Sequence, residues 1–216
     1  LLLTLTSPAL SLLLVFRTNS AYARWWEARG LLGGMVNKSR DIMRQALIWF
    51  DRTDGDEATK EYIKEVTAFS VVLKHHLRLP DTPDAKAIYK RELAAELRTL
   101  LLPQSTITDI VNAPHGPLEV VRRLSRASRC NINGLIDRQI RATSDDGPSI
   151  NGYGGKGELV GDSVIRALDR NIGEYVDQMG ACEKIAKTPM PMIYTRHTER
   201  FLTNPNSNPN TNSELI

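Results

Sequence analysis

Uncharged and apolar positions dominate the first sixteen residues, LLLTLTSPALSLLLVF: eleven are Leu, Ala, Val or Phe, and none carries a charge. A bilayer-spanning helix needs about 17–25 such residues, so the run is just short of one. Three readings fit it. A membrane helix would meet an interface belt at Arg17, Arg24, Trp25, Trp26 and Arg29. A buried core helix would turn at the same charges. A secretory h-region would need a basic segment before it and an A-x-A site after it, yet the run flows directly into FRTNSAYARWWEARG. The first residue is not Met, so the chain is expected to be a fragment that begins inside an apolar segment.

Beyond this run the pattern is helical. From Pro8 to Asp51 no further Pro interrupts, and Met35, Ile42, Met43, Ala46, Leu47 and Phe50 form an apolar stripe. Gly30, Gly33 and Gly34 are expected to mark bends or close-packing points. A polar turn follows, with Asp54 or Asp56 as N-cap. An amphipathic helix is expected over 57–79, ending before Pro80. Pro83 suits the first turn of a third helix, reaching about Leu102 and stopped by Pro103. Shorter and longer helices are expected over 105–112 and 118–143. The stretch SDDGPSINGYGGKGE is expected to be a loop, and Gly157 to Ala181 a last long helix. The Asn-rich end, 203–216, reads as disordered. No strand pattern and no internal repeat is visible, so the fold class is all-α.

Composition narrows the chemistry. The chain has 216 residues, a mean hydropathy of −0.29 and a formal charge of only +3. That excess is too small for a polyanion binder, so no nucleic-acid partner is expected. The arginines of 118–143, at Arg122, Arg123, Arg126, Arg129, Arg138 and Arg141, spread around the helix and read as a salt-bridged surface. Cys130 and Cys182 form no disulfide framework and no C-x-x-C. GYGGKGELVG lacks phosphate-loop spacing. His75 and His76 point about 100° apart on a helix and make poor joint metal ligands. No nucleophile–base set stands out. No enzyme activity, cofactor or metal site is therefore expected.

Two segments are more specific: PALSLLLVFRTNSAYARWWEARGLLGGM and GACEKIAKTPMPMIYTRHTERFL. Together they resemble the bestrophin family of anion channels, in particular the bacterial, fungal, algal and plant type. The F-R-T-N-x-x-Y-x-R-W-W-E-x-R segment matches the end of that family's pore-lining helix. C-E-K-I-x-x-T-P-M-P matches the segment that leads into its next membrane hairpin. The resemblance is clear over 7–50 and 178–202 and weak between them.

The resemblance implies a membrane pore-lining helix plus a cytosolic helical bundle, assembled as a homopentamer in lipid. The expected division is 1–29 for the neck helix and interface, 30–188 for the bundle, 189–202 for membrane re-entry and 203–216 for the tail. The implied activity is passive, anion-selective permeation of chloride, with bicarbonate a second candidate. The alternatives are a non-conducting helical interaction subunit and a soluble helical binding domain. The family's i, i+4, i+8 spacing selects Phe16, Leu12 and Pro8 as the neck. The rival for Leu12 and Phe16 is ordinary helix packing or lipid contact. Val160, Val164 and Ile165 are placed nearest the family's cytosolic aperture. Arg24, Trp25, Trp26 and Glu27 are implied to be structural, with Arg24 and Glu27 able to meet on one face. The Thr188-Pro189-Met190-Pro191 stretch should break the helix before re-entry. The implied location is a thylakoid membrane for an algal or plant chain and the plasma membrane otherwise. The family's other membrane helices and its calcium clasp have no counterpart in these residues, so a fragment or a truncated product is expected, and nothing supports a calcium claim.

Overall fold

The computed structural model describes residues 2–50, 57–78, 82–144 and 154–188. They form α1 (Leu2–Trp49), α2 (Glu57–His76), α3 (Pro83–Thr99), α4 (Gln104–Asn112), α5 (Gly116–Ser144) and α6 (Gly154–Lys187), with no strand among the described residues. The all-α expectation holds. The expectations for the polar turn, for re-entry over 189–202 and for the tail lie outside the described residues.

Local chemistry sets the helix ends. α1 starts before Pro8 and carries it as an interior residue, where only one backbone bond is lost. Gly30, Gly33 and Gly34 do not break α1. Gly34 is instead a close-packing point: an added Cβ would lie 3.0 Å from the Gln178 side-chain nitrogen. α3 stops at Thr99, earlier than expected, because Pro103 disfavours helix at Leu102. The chain leaves α3 through Leu101 in the left-handed region, with φ 55°, a conformation that L side chains adopt rarely. α5 begins at Gly116 and takes Pro117 into its first turn, where the missing N–H costs nothing. α6 starts three residues before Gly157 and runs past Ala181 to Lys187. Gly154 to Glu158, expected in a loop, is therefore helical.

The chain divides into two compact units. One comprises α1 up to Leu31 together with the chain from Lys184 onward; the other is Leu32–Glu183. In the second unit α2 packs on α3 and α5, and α4 on α3 and α5. Its core holds Ile42, Phe69, Leu97, Ile110, Leu124, Leu168 and Tyr175, all buried. The α1 stripe contributes Met35, Ile42, Ala46 and Phe50, whereas Leu47 is exposed. Phe69 and Tyr175 stack with ring centroids 4.1 Å apart and planes 4° from parallel. Phe50 meets Tyr62 edge-on at 4.9 Å.

Most polar groups inside this core are paired, the exceptions among the described residues being Thr59 Oγ1 and Gln178 Oε1. The Tyr175 hydroxyl donates to Ser39 Oγ at 2.6 Å, and Tyr62 shares a 2.8 Å bond with Ser128. Burial raises both phenols, Tyr175 to about 12. Asn171 Nδ2 donates to Asp41 and to Gln45, at 2.7 and 3.0 Å. Such networks fix one packing of the helices, because an unpaired buried amide is costly.

Candidate functional site

In the first unit α1 has apolar residues on every side. Leu12, Leu14, Val15 and Phe16 are all more than half exposed. Successive residues on a helix turn by about 100°, so no single face collects them. A helix apolar all round is one whose surface is completed by something other than water. Leu12 and Phe16 are one turn apart, and Pro8 one turn further back is also exposed. Arg17 ends the uncharged run, and no described helix is long and apolar enough to cross a membrane.

One turn on, Tyr22, Trp25 and Trp26 form an exposed aromatic cluster with ring centroids 5.7 to 6.3 Å apart. The Arg29 guanidinium lies 5.8 Å from the Trp25 ring centre, a cation–π contact. The Arg24–Glu27 pair is replaced by longer-range contacts. Arg24 donates to the carbonyl of Ile185 at 2.6 Å and to that of Thr188. Glu27 accepts from Lys184 at 3.2 Å. Arg24 thereby serves as a C-cap for α6: the last carbonyls of a helix lack partners, and a cation there is favourable. Thr188 follows the end of α6 at Lys187.

The expected aperture residues belong to α6. Val164 and Ile165 are half-buried against the core, and the Val160 side chain lies outside the described residues.

Two charged clusters among the described residues of the second unit bear on candidate chemistry. Glu65 is buried and accepts from Arg123, which also donates to Asp109 and Thr106. Burial pushes the Glu65 carboxyl up, and the Arg123 charge pulls it part of the way back. Glu65 and Arg123 border an open cleft of about 310 Å³ between α2 and α5, lined also by Arg122, Arg126 and Cys130. Arg122 pairs with Glu119 at 2.6 Å. The second cluster joins His76, His115 and Glu183, whose ligand-type atoms lie within 4.8 Å of one another. His75 turns elsewhere, to Glu96 at 2.7 Å. Sequence spacing ties His76 to neither His115 nor Glu183, since the three sit on separate elements.

A family model described as Bacterial/Fungal Bestrophin protein matches residues 1–204. The chain belongs to the bestrophin family. Among curated relatives of this bestrophin chain is a voltage-dependent anion channel-forming protein of Synechocystis sp., 32% identical over 200 residues, covering 91% of this chain and 53% of the relative. Another is voltage-dependent chloride channel 1, chloroplastic, of Arabidopsis thaliana, 29% identical and covering 92% of this chain and 39% of the relative. The chain thus spans about half the length, or less, of these relatives. A crystal structure of a bacterial bestrophin homologue from Klebsiella pneumoniae shares the fold, with a TM-score of 0.64 at 24% identity, covering 92% of this chain and 60% of that one.

Proposed function

We propose that this chain is a subunit of an anion-selective channel, with chloride as the main permeant ion and bicarbonate the second. The observation that carries this reading is the exposed, uncharged, all-round apolar stretch at Leu12–Phe16, in a chain of the bestrophin family whose relatives are named as anion and chloride channels. The subunit forms a homopentamer in lipid, closing a ring by a head-to-tail interface. The apolar stretch of α1 is then covered by neighbouring copies and lipid, and Tyr22, Trp25 and Trp26 sit at the membrane–water boundary.

In this assembly Phe16, Leu12 and Pro8 line the neck, one ring of side chains per helical turn. Such a ring offers no fixed charge. It selects by dehydration cost and by the electropositive edges of aromatic rings, and it gates by dewetting. Weakly hydrated anions pass more readily than strongly hydrated ones. Val160, Val164 and Ile165 lie nearest the cytosolic aperture. Arg24 and Glu27 position α1 through their contacts with the end of α6, and do not touch the ion.

Reconstitution into planar bilayers tests this. Across a chloride gradient, the reversal potential should move toward the chloride equilibrium value. A correctly inserted protein that carries no current would favour the non-conducting interaction subunit. Complete release from membranes by alkaline carbonate would favour the soluble binding domain.

A further inference from the structure

His76 closes α2, His115 lies in the turn between α4 and α5, and Glu183 is on α6. The two imidazole Nε2 atoms converge on one carboxylate oxygen, Glu183 Oε1, at 3.2 and 3.1 Å. The ring centroids are 4.2 Å apart and the planes tilted by 38°, and each ring meets the carboxylate through its Nε2 edge atom. The side chains of His76 and Glu183 are 15% and 19% exposed, and His115 is 33% exposed. The cluster is therefore largely walled in and open on the His115 side.

We propose that His76, His115 and Glu183 form a three-ligand site for a divalent transition metal, with zinc the best-fitting ion. This assignment is independent of ion permeation. Two imidazole nitrogens and one carboxylate suit zinc, whereas calcium and magnesium want oxygen-rich shells. Zinc bonds of about 2.0–2.2 Å in a tetrahedral shell put ligand atoms about 3.3–3.6 Å apart. Two of the three ligand–ligand distances here, 3.1 and 3.2 Å, are within a few tenths of an ångström of that. Water reaches the fourth position from the open side. The Leu118 N–H donates to His115 Nδ1 at 3.3 Å, which keeps the proton of the neutral ring on Nε2. Zinc at Nε2 displaces this proton and gives up the Leu118 contact. That contact is long and exposed, and water takes over an N–H in the first turn of α5. The bound ion ties α2, the α4–α5 turn and α6 together within the second unit.

The test is a zinc titration of the purified full chain in detergent, in competition with a chromophoric chelator, alongside thermal melting with and without zinc. The expected result is one zinc per chain and a higher melting temperature when it is bound. His115→Ala and Glu183→Gln should each weaken binding by at least about tenfold. His75→Ala, on the ring that faces Glu96, should leave it unchanged. Zinc-edge X-ray absorption of the loaded wild type should show two imidazole ligands, and this readout needs no variant to fold. Binding that is unaltered in both ligand variants, a metal shell without imidazole, or no binding at about 1 mM zinc would overturn the assignment.

Discussion

The two units of this chain use apolar side chains in opposite ways. In Leu32–Glu183 the largest buried side chains build one core, in which Phe69, Tyr175 and Leu97 have no exposed surface, while others such as Ile48 and Leu101 stay on the outside. In the unit that holds the start of α1, Leu12, Phe16 and Trp26 are 57%, 53% and 60% exposed. The first pattern is a finished globular core. The second is an exposed apolar surface, of the contiguous kind that marks interaction sites. The same residue types therefore stabilise the fold in one unit and, under the proposed function, would serve assembly and permeation in the other.

The largest expected effect breaks the packed side of this contrast. Phe69→Ala removes a buried ring and its stacking partner for Tyr175, and should cost about 3–5 kcal/mol in denaturant unfolding. Leu12→Ala in the detergent-solubilised chain should cost about 0.5 kcal/mol or less, as at other surface positions. Comparable losses at both sites would erase the distinction between the units.

The next effect is smaller. Glu65→Ala leaves Arg123 with Asp109 and Thr106 as remaining partners. The loss should be about 2–3 kcal/mol, somewhat below that for a fully orphaned buried charge. Chemical denaturation near neutral pH reads it directly.

Arg24→Ala comes third. It strips the end of α6 of its donor to Ile185 and Thr188 and frees Glu27 and Lys184 from the geometry that Arg24 sets. Loss of a helix-end cation should cost about 1 kcal/mol. Hydrogen exchange should quicken at the end of α6 and stay unchanged in α2 and α5.

The smallest effect lies in the pH dependence, where two glutamates pull in opposite directions. Burial raises Glu65 above its ordinary value of 4.5, so the folded state holds this proton more tightly than the unfolded chain. Its contribution is full below about 4.5 and is lost as pH rises through the raised value. Glu96 is lowered from 4.5, chiefly by hydrogen bonds from Lys74 and His75. Its contribution is full above about 4.5 and is lost as pH falls through the lowered value. Denaturation midpoints across this range should show Glu65→Gln gaining on the wild type as pH rises. Glu96→Gln should remove part of the acid loss.

Much of the second unit was legible in sequence, because helical periodicity and prolines are local signals. The stripe through Met35, Ile42 and Ala46 and the first-turn position of Pro83 needed no tertiary information. Other features came from packing. Three glycines in α1 read as bends or close-packing points; helix continues through all three, and packing alone shows that Gly34 is the one that admits Gln178. Arg24 and Glu27 have the spacing of a local pair, but the fold brings the end of α6 within reach, where Arg24 meets two backbone carbonyls and Glu27 meets Lys184. Leu47 keeps the core period and is still exposed. The convergence of His76, His115 and Glu183 has no sequence signal at all, because no spacing rule relates three separate elements. Pro8, Leu12 and Phe16 are legible as one exposed edge of α1. What lies against that edge is not legible in the spacing.

The most direct test of the central claim is single-channel recording of the Leu12→Ala, Phe16→Ala double variant, with chain expression and pentamer formation verified. The proposed neck would lose two apolar rings, so water would enter the constriction more easily. Unitary conductance should rise or gating should weaken, with anion-over-cation selectivity little changed because no charge is removed. A well-folded pentamer with wild-type conductance and gating would contradict the placement of Leu12 and Phe16 in the permeation path.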